Sequence, residues 1–177
     1  MYNRSKAAPR LTGVERPWRD DEIIVTKTDL KGHLTYANKV FLRLAQLTEK
    51  QAIGAPHNII RHPTMPRCVF KLLWDTIEAK REIFAYVNNM ATSGDHYWVF
   101  AHITPSFDEN DQLIGYHSNR RKPKPEQLAK IIPIYDLLLA EEMKHTSPKD
   151  GIAASTNLLL NFLKDKGMSY DEFVFTI

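Results

Sequence analysis

The sequence predicts an α+β domain with a five-stranded antiparallel sheet and helices on one face, followed by a C-terminal helical extension. Two observations predict this class. Five strand-like segments are joined by links of only a few residues. Helical segments interrupt them only once, between the second and third strands. The chain has 177 residues, which suffices for one domain with an appendage.

The first two strands are predicted to form a hairpin. Residues 23–28 are rich in β-branched side chains, and residues 33–36 supply the returning strand. Between them lies Asp-Leu-Lys-Gly, a turn sequence in which Gly32 can adopt a positive φ. Residues 1–21 precede the hairpin and are predicted to be a flexible lead-in, in which part of the chain around Trp18 docks.

Capping signals predict the helices that follow. Asn38 is placed to cap a first helix, and residues 48–51 match a capping box that Gly54 then ends. Pro66 suits the first turn of a longer helix that runs to about Lys80. A loop containing three prolines, predicted to be irregular but stiff, separates the two.

Three strands are predicted next, at residues 83–90, 96–107 and 113–121. The middle strand is long and has two alternating faces. One face carries Tyr97, Val99, Ala101 and Ile103, and the other carries His96, Trp98, Phe100 and His102. Periodicity does not tell which of the two faces the core.

The C-terminal segment, residues 122–177, is predicted to be helical. A helix over 126–144 contains Pro133, so a kink or a late start is expected. Ser147 caps a second helix that runs to about Lys166, and a short apolar tail ends the sequence. Together with the lead-in of residues 1–21, this extension flanks a predicted domain at residues 22–121.

Composition excludes several functional classes. The 24 basic and 21 acidic residues give a net charge of +3, too balanced to predict nucleic-acid binding. The basic run Arg120–Lys124 is interpreted as a solvated linker. Cys68 is the single cysteine, which excludes an internal disulfide and favours a cytoplasmic location. No segment approaches the roughly 20 apolar residues of a membrane span, so no membrane insertion is expected.

Two sequence strings resemble a known family. Residues 56–66 read Pro-His-Asn-Ile-Ile-Arg-His-Pro-Thr-Met-Pro, and residues 94–99 read Gly-Asp-His-Tyr-Trp-Val. Both strings lie between the expected elements. Together they make residues 22–121 resemble the PAS domain of the bacterial aerotaxis transducer family. The resemblance implies a PAS fold. Because neither a transmembrane anchor nor a long coiled coil is recognisable after residue 121, a free-standing form is expected.

The resemblance also implies a function. Members of this family hold FAD without a covalent bond and sense the redox state of the cell, and through it oxygen, as in aerotaxis and chemotaxis. The positions matched to the flavin pocket are Asn38, Arg61, His62, Trp74 and Asn89, and Trp98 and Phe84 are added as candidates. Phe84 stands where the family has tryptophan, and Thr64 stands where the family usually has aspartate.

Residue chemistry leaves alternatives open at these positions. Arg61 offers a planar donor fork for a pyrophosphate, and the helix N-terminus near Pro66 favours anions. Trp74 lies on an apolar helical stripe and suits either a core or a ring-binding wall. Asn38 also suits a helix cap, and Asn89 also suits the end of a strand.

Competing functions remain at this stage. One of the seven histidines can ligate haem b in a PAS oxygen sensor, and a cofactor-free interaction or dimerisation module needs no ligand at all. No nucleophile–base pair or phosphate-binding glycine loop predicts an enzyme. Cys68 lacks the Asn-Cys-Arg motif of light-sensing relatives and is interpreted as a small core residue. A homodimer with an unidentified signalling partner is expected.

Overall fold

The computed structural model describes residues 10–177. Five strands form one sheet in the order β2-β1-β5-β4-β3, and every neighbouring pair is antiparallel. The strands are Ile24–Thr28 (β1), Leu34–Ala37 (β2), Ile83–Met90 (β3), His96–Phe107 (β4) and Leu113–Arg121 (β5). The predicted α+β class with a five-stranded antiparallel sheet is confirmed.

Six α-helices and one short 3-10 helix complete the fold of the described residues. They are Lys39–Ala45 (α1), Glu49–Ala52 (α2), the 3-10 helix His57–Ile60, Arg67–Glu78 (α3), Pro125–Met143 (α4), Pro148–Asp165 (α5) and Tyr170–Thr176 (α6). The predicted caps at Asn38 and Thr48 are present, because each side chain accepts a backbone N–H of its own first turn. Pro66 occupies the cap position of α3 rather than its first turn.

The inner face of the sheet is decided by burial. In β4, Tyr97, Val99 and Ala101 are almost fully buried beneath the helices between β2 and β3. Alternation then gives this same face to the odd-numbered residues of β3, among them Val87 and Asn89. The opposite face carries the even-numbered residues of both strands.

The C-terminal helices pack on this domain. Tyr135 of α4 donates a hydrogen bond to the Tyr86 carbonyl oxygen at the edge strand β3, at 2.9 Å. Its ring also packs beside Trp98, and Phe175 of α6 packs against Phe100. Helix α5 meanwhile lies against α3. The extension therefore covers both the edge of β3 and part of the outer face.

Of the two outcomes expected from Pro133, the late start of the helix is corrected and the kink stays a prediction. Helix α4 begins at Pro125 and continues through Pro133 instead of starting late, since burial of Ile131 and Tyr135 on either side holds both halves in one helix. The apolar tail is helix α6, which begins at a capping box formed by Ser169 and Glu172.

The lead-in is described from residue 10 onward, and residues 1–9 lie outside the described chain. Glu15 forms a parallel bridge to His96, Arg16 pairs with Asp95 at 3.3 Å, and Trp18 is buried in the core. The Trp18 side chain therefore docks in the core as expected, and the flexibility of the lead-in stays a prediction. Over residues 10–177, no helix combines the length and the apolar character required to cross a membrane.

Candidate ligand-binding site

A cavity of about 390 Å³ lies between the inner face of the sheet and helix α3. This volume falls within the range of ~300–1,000 Å³ that is typical of small-molecule sites. The spacing of Phe70, Trp74 and Ile77 places all three on the helix face that covers the cavity. The floor is formed by small and branched side chains such as Ala101 and Val87. The walls are therefore largely apolar and aromatic.

Three buried polar atoms in the cavity wall have no hydrogen-bond partner among residues 10–177. They are the Nδ2 of Asn89, the Oγ of Ser118 and the Nη1 of Arg120. Buried polar groups in folded proteins almost always have a partner. Three such groups around one cavity are therefore available to hydrogen-bond polar atoms that enter it.

Arg120 is the most unusual of these groups. Only 4% of its surface is exposed, and no described acidic side chain forms a salt bridge with it. Its Nη2 donates to the Oγ1 of Thr26 at 2.7 Å and contacts the Nε2 of His57 at 2.6 Å. Burial lowers the pKa of Arg120 to about 10, so the guanidinium remains charged at neutral pH.

His57 does not add to this charge. Burial, followed by the neighbouring Arg120, lowers the pKa of His57 well below its ordinary value. The ring is therefore neutral at pH 7, and because Arg120 only donates, the Nε2 of His57 accepts. At the inner end of the cavity, the charged guanidinium of Arg120 thus contacts two neutral side chains, Thr26 and His57.

The opening of the cavity is also basic. Arg61, Arg67, Lys31 and Lys71 line it, and all but Arg61 are exposed. The Arg61 guanidinium lies 4.1 Å from the centre of the Phe70 ring, and burial is the main cause that lowers the Arg61 pKa. A ligand with an apolar ring and a negatively charged tail matches this arrangement of dry walls and basic rim.

A carboxylate of the chain itself lies at the N-terminus of α3. Pro66 has no side chain that caps the helix, and the Oε1 of Glu142 from α4 accepts from the Cys68 N–H at 2.9 Å instead. The same oxygen accepts from the Ser155 hydroxyl at 3.0 Å. The N-terminus near Pro66 therefore holds an anionic group, as expected of a helix N-terminus, but here the group is a carboxylate of the chain, and binding of a ligand anion there stays a prediction. Burial raises the pKa of Cys68 to about 11, which makes its thiol unreactive at neutral pH.

Three of the sequence-predicted site residues meet at the cavity: Arg61, Trp74 and Asn89. Arg61 and Asn89 form an isolated antiparallel bridge, which ties the loop before α3 to β3. Trp74 packs edge-to-face on Tyr116 with ring centres 5.7 Å apart. It also lies so close to Gly32 that a Cβ there would come within 2.9 Å of the indole. The role of these residues in ligand binding stays a prediction.

The other four candidates do not line this cavity, and their role in ligand binding stays a prediction. Phe84 and Trp98 are even-numbered strand residues and so lie on the outer face, where Phe84 stacks on His102. Asn38 caps α1 and donates to the Ile23 carbonyl oxygen. His62 is turned away, with its Nδ1 2.7 Å from the Thr64 hydroxyl, and burial lowers its pKa.

Sequence reasoning missed Arg120, Ser118 and His57. Arg120 was assigned to a solvated basic linker, yet it is the last inward-facing residue of β5. Alternation along Tyr116, Ser118 and Arg120 is the signal that identifies them as one face. The burial of that face is a tertiary property and is not encoded in the alternation.

The sheet order and the position of the cavity can now be compared with known proteins. The family described as PAS fold matches residues 34–120. This chain carries a PAS domain. The solved PAS domain of a protein from Colwellia psychrerythraea superposes with a TM-score of 0.52 at 23% identity, over 57% of this chain and 86% of that one. At 23% identity, this structural similarity shows that the two domains share a fold.

Two curated relatives contain similar PAS sequences. The aerotaxis receptor of Escherichia coli is 35% identical over 132 residues, which is 75% of this chain and 26% of the receptor. The nitrogen fixation regulatory protein of Klebsiella pneumoniae is 24% identical over 99 residues, 56% of this chain and 20% of the regulator. The chain thus spans about a quarter or less of the length of these relatives. The similarity to the aerotaxis receptor supports the resemblance recognised in the sequence.

Proposed function

We propose that this PAS domain is a signal-transduction sensor that binds FAD in its cavity and senses redox state, and through it oxygen. The observation that carries the proposal is the cavity itself, with aromatic and apolar walls and three orphaned polar atoms. A flavin ring is planar and largely apolar, with polar atoms along one edge, and matches such a wall. The similarity to an aerotaxis receptor supports the same proposal.

The residues divide into two groups toward this ligand. Trp74 and Tyr116 would flank the ring, with Asn89 and Ser118 offering hydrogen bonds to its edge. The basic rim, including Arg61, would hold the pyrophosphate through charge-assisted hydrogen bonds. When bound, FAD supplies a group that accepts and returns electrons; the chain supplies its orientation and exclusion of water.

A short route connects the cavity to the C-terminal helices. Asn89 faces the cavity on β3, and the carbonyl of Tyr86 on the same strand accepts from Tyr135 of α4. Helix α6 packs on β3 as well. A rearranged hydrogen bond at Asn89 would therefore move the strand that holds both helices, which is the kind of bistable contact that a sensor needs. A homodimer, a cytoplasmic location and an output by altered protein contacts belong to this proposal.

Haem is less well supported as the ligand. The two histidines that line the cavity both have partners, since His57 accepts from Arg120 and the Nε2 of His117 lies 3.1 Å from the Asn119 Oδ1. A haem iron would have to displace one of these bonds to gain an axial ligand. Flavin needs no such displacement.

The test is the absorption spectrum of the purified chain, followed by heat release of any chromophore and chromatography beside FAD, FMN and haem standards. A yellow protein that releases FAD supports the proposal. A Soret band identifies haem instead. A protein that stays colourless after incubation with FAD refutes the flavin proposal and favours a cofactor-free interaction module.

A further inference from the structure

We propose that helix α5 is a lid on the cavity. The lid closes when helices α4 and α5, residues 125–165 and here called the C-terminal helix pair, dock on α3, and it opens when the pair detaches. Ile152 of α5 is the residue of the lid that a bound molecule meets. The inference rests on the proposed function for its first probe, FAD. It goes further because it gives a segment beyond the PAS domain control over entry to the cavity.

The first argument is the composition of the cavity wall. Among residues 10–177, Ile152 is the one residue after Arg121 that lines the cavity, and it is half-buried. Arg67 and Lys71 of α3 line the basic opening of the same cavity, and α5 lies against α3. Ile152 therefore lies on the α3 side of this opening. The wall of the cavity is complete only while α5 is docked.

The second argument is the contact that holds α5 at this place. The Oε1 of Glu142 accepts from the Ser155 hydroxyl at 3.0 Å and from the Cys68 N–H at 2.9 Å. The Oγ of Ser155 also lies 3.2 Å from the Ile152 carbonyl oxygen. Cys68 directly follows Arg67, which lines the cavity. One carboxylate therefore holds the turn of α5 that carries Ile152 against the first turn of α3.

The third argument is that the C-terminal helix pair can leave α3 as a unit. Helices α4 and α5 pack more extensively on each other than either of them packs on α3. The contact with α3 includes the hydrogen bonds of Glu142, and water can replace bonds of this kind at a small net cost. Tyr135, which bonds to β3, lies about two helical turns before Glu142 and can therefore stay in place as the pivot.

A ligand in the cavity must shift this docking equilibrium. It contacts Ile152 only while α5 is docked, so it binds the docked state more tightly and favours that state. By the same linkage, docking of the helix pair strengthens ligand binding. If Ile152 only filled space between helices, docking and ligand binding would be independent of each other.

Cys68 reports the docked state without an added probe. It is the single cysteine of the chain, and only 1% of its surface is exposed. Burial is the main cause that raises the pKa of its thiol to about 11, and the charge of Glu142 adds to this rise. Detachment of the helix pair removes Glu142 and exposes the thiol, which then reacts with iodoacetamide. The rate of alkylation therefore measures the detached fraction.

The experiment measures the alkylation of Cys68 in the full chain with and without saturating FAD. FAD is expected to slow alkylation about fivefold or more in the wild type, and about twofold or less in Ile152→Ala. Leu158→Ala removes an exposed apolar side chain of the same helix that does not line the cavity, so it is the matched control and should keep the wild-type factor. If Ile152 were purely structural, its replacement would speed alkylation equally with and without FAD and would leave the factor unchanged.

Two further variants test the opening itself. Gly151→Ala places a Cβ 2.7 Å from the Glu142 carbonyl oxygen, so it should disturb the helix pair, speed alkylation and weaken FAD binding. Faster alkylation with unchanged FAD affinity overturns the lid. Val99→Cys in a Cys68→Ser background places a thiol in the core of the sheet, where global unfolding exposes it. Alkylation there should be slower than at Cys68, and equal rates would overturn the lid, because the helix pair would then not detach by itself.

The remaining outcomes separate the lid from the proposed function. If FAD binds but does not slow alkylation, or slows it equally in Ile152→Ala, the lid is overturned and the proposed function stands. If the wild-type chain binds no FAD, the proposed function fails, and anilinonaphthalene sulfonate, an aromatic anion, becomes the probe. Slower alkylation with this anion in the wild type but not in Ile152→Ala then supports the lid alone. A wild-type chain whose alkylation neither compound slows overturns the lid.

Discussion

Replacing Glu142 should weaken the attachment of the C-terminal helices to the PAS domain. Its carboxylate caps α3 from a different helix, accepting from the buried N–H of Cys68 at 2.9 Å and from Ser155 at 3.0 Å. Gly151 permits this contact, because a Cβ there would lie 2.7 Å from the Glu142 carbonyl oxygen. The contact joins α3, α4 and α5 at one point.

The magnitude follows from the groups that Glu142→Ala leaves behind. An orphaned buried N–H at Cys68 costs about 1–3 kcal/mol. Loss of the negative charge at the N-terminus of α3 adds about 0.3–1 kcal/mol. The free energy of unfolding should therefore fall by about 1–4 kcal/mol. Glu142→Gln keeps an acceptor oxygen and loses only the charge, so it should cost about 1 kcal/mol or less.

The assay is urea unfolding followed by far-ultraviolet circular dichroism and tryptophan fluorescence. Asp136→Ala, an exposed change on the same helix, is the control and should stay within about 0.5 kcal/mol of wild type. The reasoning is refuted if Glu142→Ala unfolds at the same urea concentration as Asp136→Ala. Equal losses in the Ala and Gln variants would assign the effect to charge alone.

Three further predictions concern the cavity. Arg61→Ala should lower the flavin content of the purified protein about tenfold, because it removes a charge-assisted donor from the rim. Arg81→Ala, an exposed change, is the control and should not lower it; equal flavin content in both variants would show that Arg61 does not bind the flavin. Because the pKa of His57 is lower in the folded than in the unfolded chain, the unfolded chain is protonated first as the pH falls. The free energy of unfolding should therefore decrease as the pH is lowered below about 6.5, and less so in His57→Gln; parallel pH profiles of wild type and variant would contradict this. Gly32→Ala should displace the Trp74 indole and shift its fluorescence maximum, because the new Cβ meets the ring at 2.9 Å; an unchanged spectrum would show that the site accommodates the methyl group.

The sequence determined the elements of this protein because their signals are local. Caps at Asn38 and Thr48, turn residues and strand alternation act over a few residues, and they predicted strands β3 to β5 with the same bounds that the structure has. The PAS family was recognisable from two short strings for a related reason: residue types at fixed spacing identify a family without any knowledge of contacts.

The tertiary structure decided which strand face is dry and what each charge meets there. Alternation allots Trp98 and Val99 to opposite faces but gives no means of telling which one the helices cover. For the same reason Arg120 is indistinguishable in sequence from its exposed neighbour Arg121, although one is buried at the cavity and the other is solvated.

Long-range packing decided the role of the C-terminal extension. The carboxylate of Glu142 accepts from the N–H of Cys68, which lies 74 residues earlier in the sequence. Neither residue carries a local signal of that contact, because a helix cap normally comes from the residue just before the helix, and here that residue is Pro66. Such pairings depend on how whole elements meet, and chain folding alone brings them together.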